Sequence, residues 1–220
     1  GMCPAETIAD ASGDLFELHG DWLVFSRDDS PEFAVTRVPK NGGPLVDLAM
    51  TASRARWLYS LGDHLYWSVS STTTPGGIYR ANVSSAVTEE IAPSASALGG
   101  LVITSGYLYF AEGGFTGGLR RRTIDLATLD LGEPFPIGEA TPAPWPVRLH
   151  DGFVYWAYAG ADNQGIQGGI QRTPVQGGPI EVLHEGPGSL VIRDLAVHDG
   201  WVYWSGDLGV HRMMPGDEEA

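Results

Sequence analysis

The chain has 220 residues, 43% of them hydrophobic and 10% aromatic, so it can bury a sizeable core and wholesale disorder is excluded. Thirty Gly and fifteen Pro make it rich in turn formers, yet short of the roughly 25–30% typical of low-complexity chains. Thirteen basic against 27 acidic residues leave a net charge of −14, with Lys40 the single lysine, a balance that argues against nucleic acid and anionic membrane surfaces as partners.

The lone Cys3 permits no internal disulfide and no thiolate metal cluster, and it reads as an untethered terminal thiol; the alternative is pairing with, or anchoring through, something outside this chain. No apolar run approaches the roughly 18 residues of a membrane span, so no membrane insertion is expected. Glu6 to Asp10 (ETIAD) reads as a short strand. Beyond it the chain repeats. A Gly/Asp turn followed by an aromatic-rich strand occurs as GDWLVFS from Gly20, GDHLYWS from Gly62, SGYLYFA from Ser105, DGFVYWA from Asp151 and DGWVYWS from Asp199. A variable loop follows each, then a strand bearing Arg37, Arg80, Arg121, Arg172 or Arg212, a turn, and in the first, second and fourth repeats a further short strand.

Each repeat thus holds four short strands, A to D, in about 44 residues, with no room for a helix of any length. Such units predict antiparallel blades, because one twisted four-stranded sheet cannot bury both its faces alone. The expected fold is an all-β, five-bladed β-propeller forming one domain over residues 1–220. Its blades cover approximately 14–50, 55–92, 99–138, 145–184 and 193–214. The fifth repeat lacks a strand D, and ETIAD resembles AVTEEIA of the second repeat, so the N-terminal strand 6–10 is expected to complete the last blade and remove an open sheet edge. A fragment of a larger assembly of blades is the alternative.

The Tyr-Trp pairs at Tyr66-Trp67, Tyr155-Trp156 and Tyr203-Trp204, with GGI-x-R at Gly76–Arg80 and Gly168–Arg172, resemble YWTD-type and related TolB-like β-propeller repeats. The resemblance covers Asp14 to Met214. Ser68-Val69, Ala157-Tyr158 and Ser205-Gly206 stand where the receptor pattern has Thr-Asp. The group includes binding modules and domains of unknown role, so the resemblance implies a fold, and only weakly an activity.

Repeated residues are most simply scaffold, so candidate site residues are those that break the repeat. Trp22, Trp67, Trp156, Trp201 and Trp204 lie in B strands, where large flat side chains fill space between blades. Trp57 and Trp145 do not. Arg54, Arg56, Arg148 and Arg193 cluster just before or within the A strands, outside the C-strand arginine register. Aligned on the turns, Asp14, Arg56, Gly99, Trp145 and Arg193 share one position, and Leu15, Trp57, Gly100, Pro146 and Asp194 the next. Phe16, Leu58, Leu101, Val147 and Leu195 then form a uniformly apolar, core-like register.

Variation therefore concentrates where the A strands enter, at the expected mouth of the channel. The ligand-binding candidates are Arg56, Trp57, Trp145, Arg148, Arg193 and Asp194: indoles stack on a sugar or planar group, and arginine pairs bidentately with carboxylate or phosphate. The competing reading has these arginines paired with carboxylates such as Asp14, Glu17 or Asp194. Glu112 and the tip residues Asp162, Asn163 and Gln164 are candidates on the B–C loops, which share that end of each blade. Asp28-Asp29 is a weak calcium suggestion whose spacing matches no known loop. No other cofactor and no metal site are expected. His19, His150 and His198 share a register before the turn and read as turn caps.

No metalloprotease, phosphate-loop, dinucleotide-binding or nucleophile-elbow motif is present, and no catalytic residue is assigned. The expected function is a non-catalytic propeller that binds a small polar or saccharide ligand, or a protein or peptide, at that mouth. Its setting is extracellular, periplasmic or cell-surface, with any leader outside the present chain. The alternative is a motif-less hydrolase or lyase using Glu17, Glu112, Asp194 or Asp207, with a metal or carboxylate site at the mouth.

Overall fold

The structure is a computed structural model, and it describes residues 7–8, 11, 13–29, 32–51, 53–70, 76–94, 98–112, 118–137, 144–158, 160, 167–187, 189–206 and 209–216. It is all-β, a five-bladed β-propeller of antiparallel sheets. The first sheet is β1 (Gly13–His19), β2 (Trp22–Asp29), β3 (Glu32–Pro39) and β4 (Val46–Thr51). The second is β5 (Ala55–Leu61), β6 (His64–Val69), β7 (Gly76–Asn82) and β8 (Thr88–Ser94). The third is β9 (Leu98–Ile103), β10 (Tyr107–Glu112), β11 (Gly118–Thr123) and β12 (Phe135–Ile137). The fourth is β13 (Pro144–His150), β14 (Phe153–Tyr158), β15 (Gly168–Pro174) and β16 (Glu181–Gly186). The fifth has three strands, β17 (Ile192–His198), β18 (Trp201–Gly206) and β19 (Gly209–Met213).

The strands pack as two compact units, Gly1–Leu98 and Gly99–Ala220. Of the N-terminal segment expected to complete the fifth blade, Thr7 and Ile8 are described and neither lies in a strand; Glu6, Ala9 and Asp10 lie outside the described residues. In the first repeat, where a variable loop was expected after the aromatic strand, the described residues Ser26–Asp29 and Glu32–Phe33 are strand. Arg27, Asp28 and Asp29 continue the β2–β3 ladder against Ala34, Phe33 and Glu32.

Each A–B connection is a two-residue hairpin wherever its pairing is set by His19↔Trp22, Leu61↔His64, His150↔Phe153 or His198↔Trp201. At Asp151-Gly152 and Asp199-Gly200 both central residues have positive φ, the requirement of a type I′ turn, whose twist matches the strands it joins. His150 and His198 reach the turn carboxylates of Asp151 and Asp199 at 3.2 and 3.3 Å, which is the capping role their shared register suggested.

In the first unit Val24, Val35, Leu48, Leu58, Leu65 and Trp67 form one buried cluster between the two sheets. In the second, Tyr155, Ile170, Ile192, Leu195, Val202 and Trp204 do the same between the fourth and fifth. Trp67 and Trp156 are fully buried, and Trp67 stacks on Tyr79 with ring centroids 5.9 Å apart. The apolar A-strand register is buried at Leu58, Leu101, Val147 and Leu195, but Phe16 is 71% exposed: among the described residues nothing covers that face of β1.

The repeated arginine has a repeated aromatic partner. On the C strand it faces the residue two places after the start of B, and its guanidinium lies over the first aromatic of B: Arg37 over Trp22 at 4.2 Å, Arg121 over Tyr107 at 4.9 Å, Arg172 over Phe153 at 4.7 Å and Arg212 over Trp201 at 4.3 Å. Trp22 and Trp201 are therefore half-buried and capped by arginine, whereas Trp67, Trp156 and Trp204 fill the interior. Arginines of this register also reach carbonyls and carboxylates. Arg37 donates to the Val83 and Ser84 carbonyls of the turn between β7 and β8, Arg80 to Glu89 at 2.7 Å and Arg172 to Glu181 at 2.7 Å.

The second blade has His64 where the others have Trp22, Tyr107, Phe153 and Trp201. Burial, reinforced by the Arg80 charge, pushes its imidazole below the ordinary value near 6.5. A depressed histidine binds its proton less readily in the folded state, so this group makes stability fall as pH drops through and below about 6.5, and contributes nothing above it. NMR titration is expected to place the His64 midpoint below 6.5, and Arg80→Met to move it upward while burial keeps part of the shift.

Candidate functional site

The A strands carry the candidate residues, and a shared backbone irregularity fixes how they project. Each of four A–B ladders shifts register at the same place: between Gly13 and Phe16, Ala55 and Trp57, Pro144 and Val147, and Ile192 and Asp194. Such bulges re-aim a side chain at the end of a ladder. The variable register read from the sequence is thus also where strand alternation is locally broken.

In the first unit Arg56 is exposed, while Trp57 is buried at 6% exposure and sits opposite Ser68. The Trp57 indole belongs to the packed interior, because the bulge turns it inward, and so offers little surface for stacking a ligand. Arg54, immediately before β5, is the organising cation there. It donates to Asp14 on β1 at 2.5 Å and to Asp28 on β2. Asp28, half of the calcium suggestion, is thereby engaged by a guanidinium.

In the second unit the candidates join neighbouring A strands. Trp145 of β13 lies against Gly99 of β9: a Cβ on Gly99 would meet the indole at 3.3 Å. Gly100 is tighter, since a Cβ there would come within 2.9 Å of a Val147 methyl and 3.0 Å of the Val147 backbone nitrogen. The two glycines are therefore the space that β13 fills. Arg148 donates to Asp194 of β17 at 2.6 Å, and the same carboxylate oxygen accepts the Leu195 backbone N–H at 2.8 Å, tying down the bulge. Arg193, beside it, is exposed. Glu112, at the end of β10, bonds Arg120 at 2.9 Å. Asp162, Asn163 and Gln164 lie outside the described residues.

Beside the Arg148–Asp194 pair runs a shallow groove of about 170 Å³, lined by Asp194, Ala196, Tyr203, Trp204, Ser205 and Val210. Asp194 keeps 65% of its side chain exposed although it is paired, and Val210 is 79% exposed. Sequence reasoning named Asp194 but missed Tyr203, Ser205 and Val210, which occupy repeat positions and so were read as scaffold. Among the described residues no group of three His, Cys, Asp or Glu is placed to hold a metal ion, and no helix is long and apolar enough to cross a membrane.

A chain of a nidogen/laminin complex matches with a TM-score of 0.66 at 13% identity, over 89% of this chain and 72% of that one. Both likenesses show the propeller fold. The second is to tricorn protease, with a TM-score of 0.62 at 9% identity over 88% of this chain; the match spans 24% of the protease chain. No protein-family model matches the sequence. No curated protein matches it either.

Proposed function

We propose that the chain is a non-catalytic binding propeller of the YWTD-type or TolB-like kind, working outside the cell or at its surface. Its recognition surface is the Arg148–Asp194 pair, with Trp145, Arg193 and the adjoining groove. One observation carries this reading: a carboxylate held in place by a guanidinium and a backbone N–H, yet mostly exposed, borders a shallow groove lined by both apolar and polar side chains. Fixed polar groups around apolar surface suit a small polar or saccharide ligand, or a protein segment. The Tyr-Trp strands support the repeat kind. The neighbour solved in a nidogen/laminin complex is a precedent for a propeller within a protein complex.

The test is a thermal-shift screen of saccharides, carboxylates and peptides, with divalent ions added and with chelator. Stabilisation by a saccharide, carboxylate or peptide that survives chelation, and that is lost in Arg148→Ala and Asp194→Ala, supports the reading. Stabilisation seen only with a divalent ion favours a metal-dependent hydrolase or lyase instead. Both variants are expected to stay folded, since a pair this exposed contributes no more than about 1 kcal/mol. Urea denaturation checks that. Fractionation of the producing cells with an antibody tests the location: a wholly cytoplasmic signal contradicts it.

A further inference from the structure

Within the first compact unit, β4 of the first sheet and β6, β7 and β8 of the second border a space of about 140 Å³. Met50, Thr51, Trp67, Val69, Tyr79 and Thr88 are among its lining residues. The Thr88 hydroxyl ties the two sheets together here by donating to the Leu48 carbonyl at 2.9 Å. Trp67 faces Tyr79 across the β6–β7 ladder and stacks on it, so the two rings form a wall and leave no slot between them. Met50 is 58% exposed, and through it the space reaches solvent.

Two polar groups at this space, both out of contact with solvent, have no hydrogen-bond partner among the described residues: the Trp67 indole N–H and the Thr51 hydroxyl. Buried polar groups are normally paired, and an orphaned donor carries its full desolvation penalty. Trp156, at the same repeat position as Trp67, also has an unpaired N–H, so the indole alone would be a feature of the repeat. Beside Trp67 it coincides with a second orphan and with open space. An indole N–H only donates, whereas a hydroxyl both donates and accepts.

The rest of the lining narrows the occupant. None of the lining residues is charged, so an ion entering would lose its hydration without a counter-charge. Burial, then the Glu90 charge, raises the Tyr79 hydroxyl above its ordinary value near 10, which keeps that wall neutral. A saccharide is a poor match, because its several hydroxyls outnumber the two groups left to pair with them. A single ring suits the size, since a cavity of about 150 Å³ holds benzene, and the Met50 thioether makes favourable contacts with ring edges.

We propose that this space is a binding site for a neutral, single-ring aromatic compound with one hydrogen-bonding substituent, of the phenol kind. The substituent oxygen accepts from the Trp67 N–H and engages the Thr51 hydroxyl, while the ring lies against Val69 and Met50. The proposal does not rest on the Arg148–Asp194 reading, whose residues belong to the other compact unit.

The probe is phenol, titrated into the isotope-labelled full chain and followed by NMR through the assigned Trp67 indole resonance. A saturable shift is expected, with benzene binding about threefold to tenfold more weakly because it leaves both polar groups unmatched. In a wholly apolar space that order reverses, since phenol must give up its hydrogen bonds to water. Thr51→Val is expected to weaken phenol by a similar factor and not to weaken benzene. Absence of a saturable shift at Trp67, the result if water alone fills the space, would overturn the proposal. So would benzene binding as tightly as phenol, or phenol binding indifferent to Thr51→Val. If Thr51→Val does not fold by circular dichroism, the comparison of phenol with benzene on the unmodified chain carries the test alone.

Discussion

Replacing Trp67 or Trp156 by alanine lowers the free energy of unfolding by about 3–5 kcal/mol, the largest effect expected of any single side chain here. Both indoles are fully buried at equivalent B-strand positions, each in a different compact unit. Truncation removes a large apolar surface and leaves a void that close-packed neighbours fill only partly. Trp67 also loses its stack on Tyr79. Trp201→Ala is the internal comparison: that ring is half-buried and covered by Arg212, so the expected cost is smaller. Urea titration of the three variants checks the order; equal losses at Trp67 and Trp201 would contradict the division into packing and capping aromatics.

The second large effect is expected at a glycine. Gly169→Ala places a methyl group into the His184 carbonyl oxygen and within 2.7 Å of the Tyr158 hydroxyl. The obstructing carbonyl is backbone, part of the β15–β16 ladder, and cannot rotate away as a side-chain tip would. The cost is at the upper end for overpacking, about 3 kcal/mol. Gly76→Ala meets the Val69 carbonyl oxygen in the second blade and should behave alike. Gly106→Ala, with open space at its Cβ and an ordinary φ, should change stability by less than about 0.5 kcal/mol. Chemical denaturation of the set separates steric glycines from turn glycines. A mild Gly169→Ala would mean that the GGI-x-R signature reflects backbone flexibility instead of close approach.

The fold was legible because its determinants are local and recur. Two-residue turns, alternating aromatic strands and one arginine per repeat all follow from pairing geometry that a single blade satisfies by itself. The N-terminal strand was read from its likeness to AVTEEIA and from the missing fourth strand of the fifth repeat, and most of its residues lie outside the described ones. At the candidate site the register was found but the side-chain directions were not. A bulge reverses which way the next residue points, so Trp57, one place along from the exposed Arg56, goes into the interior. Gly99 and Gly100, aligned at the variable positions, are steric accommodations to Trp145 and Val147. Tyr203, Ser205 and Val210 were hidden because they obey the repeat; the exposure of Val210 follows from the sheet it sits in, which the residue type does not encode.

The central claim is that recognition occurs at the A-strand surface around Arg148 and Asp194. Amide exchange of the full chain, measured with and without the most stabilising saccharide, carboxylate or peptide from the thermal screen, tests it most directly. Slowed exchange is expected over Trp145–Arg148, Arg193–Ala196 and Tyr203–Ser205. Protection confined to the outer strands β4, β8 and β16, with those segments unchanged, would contradict it.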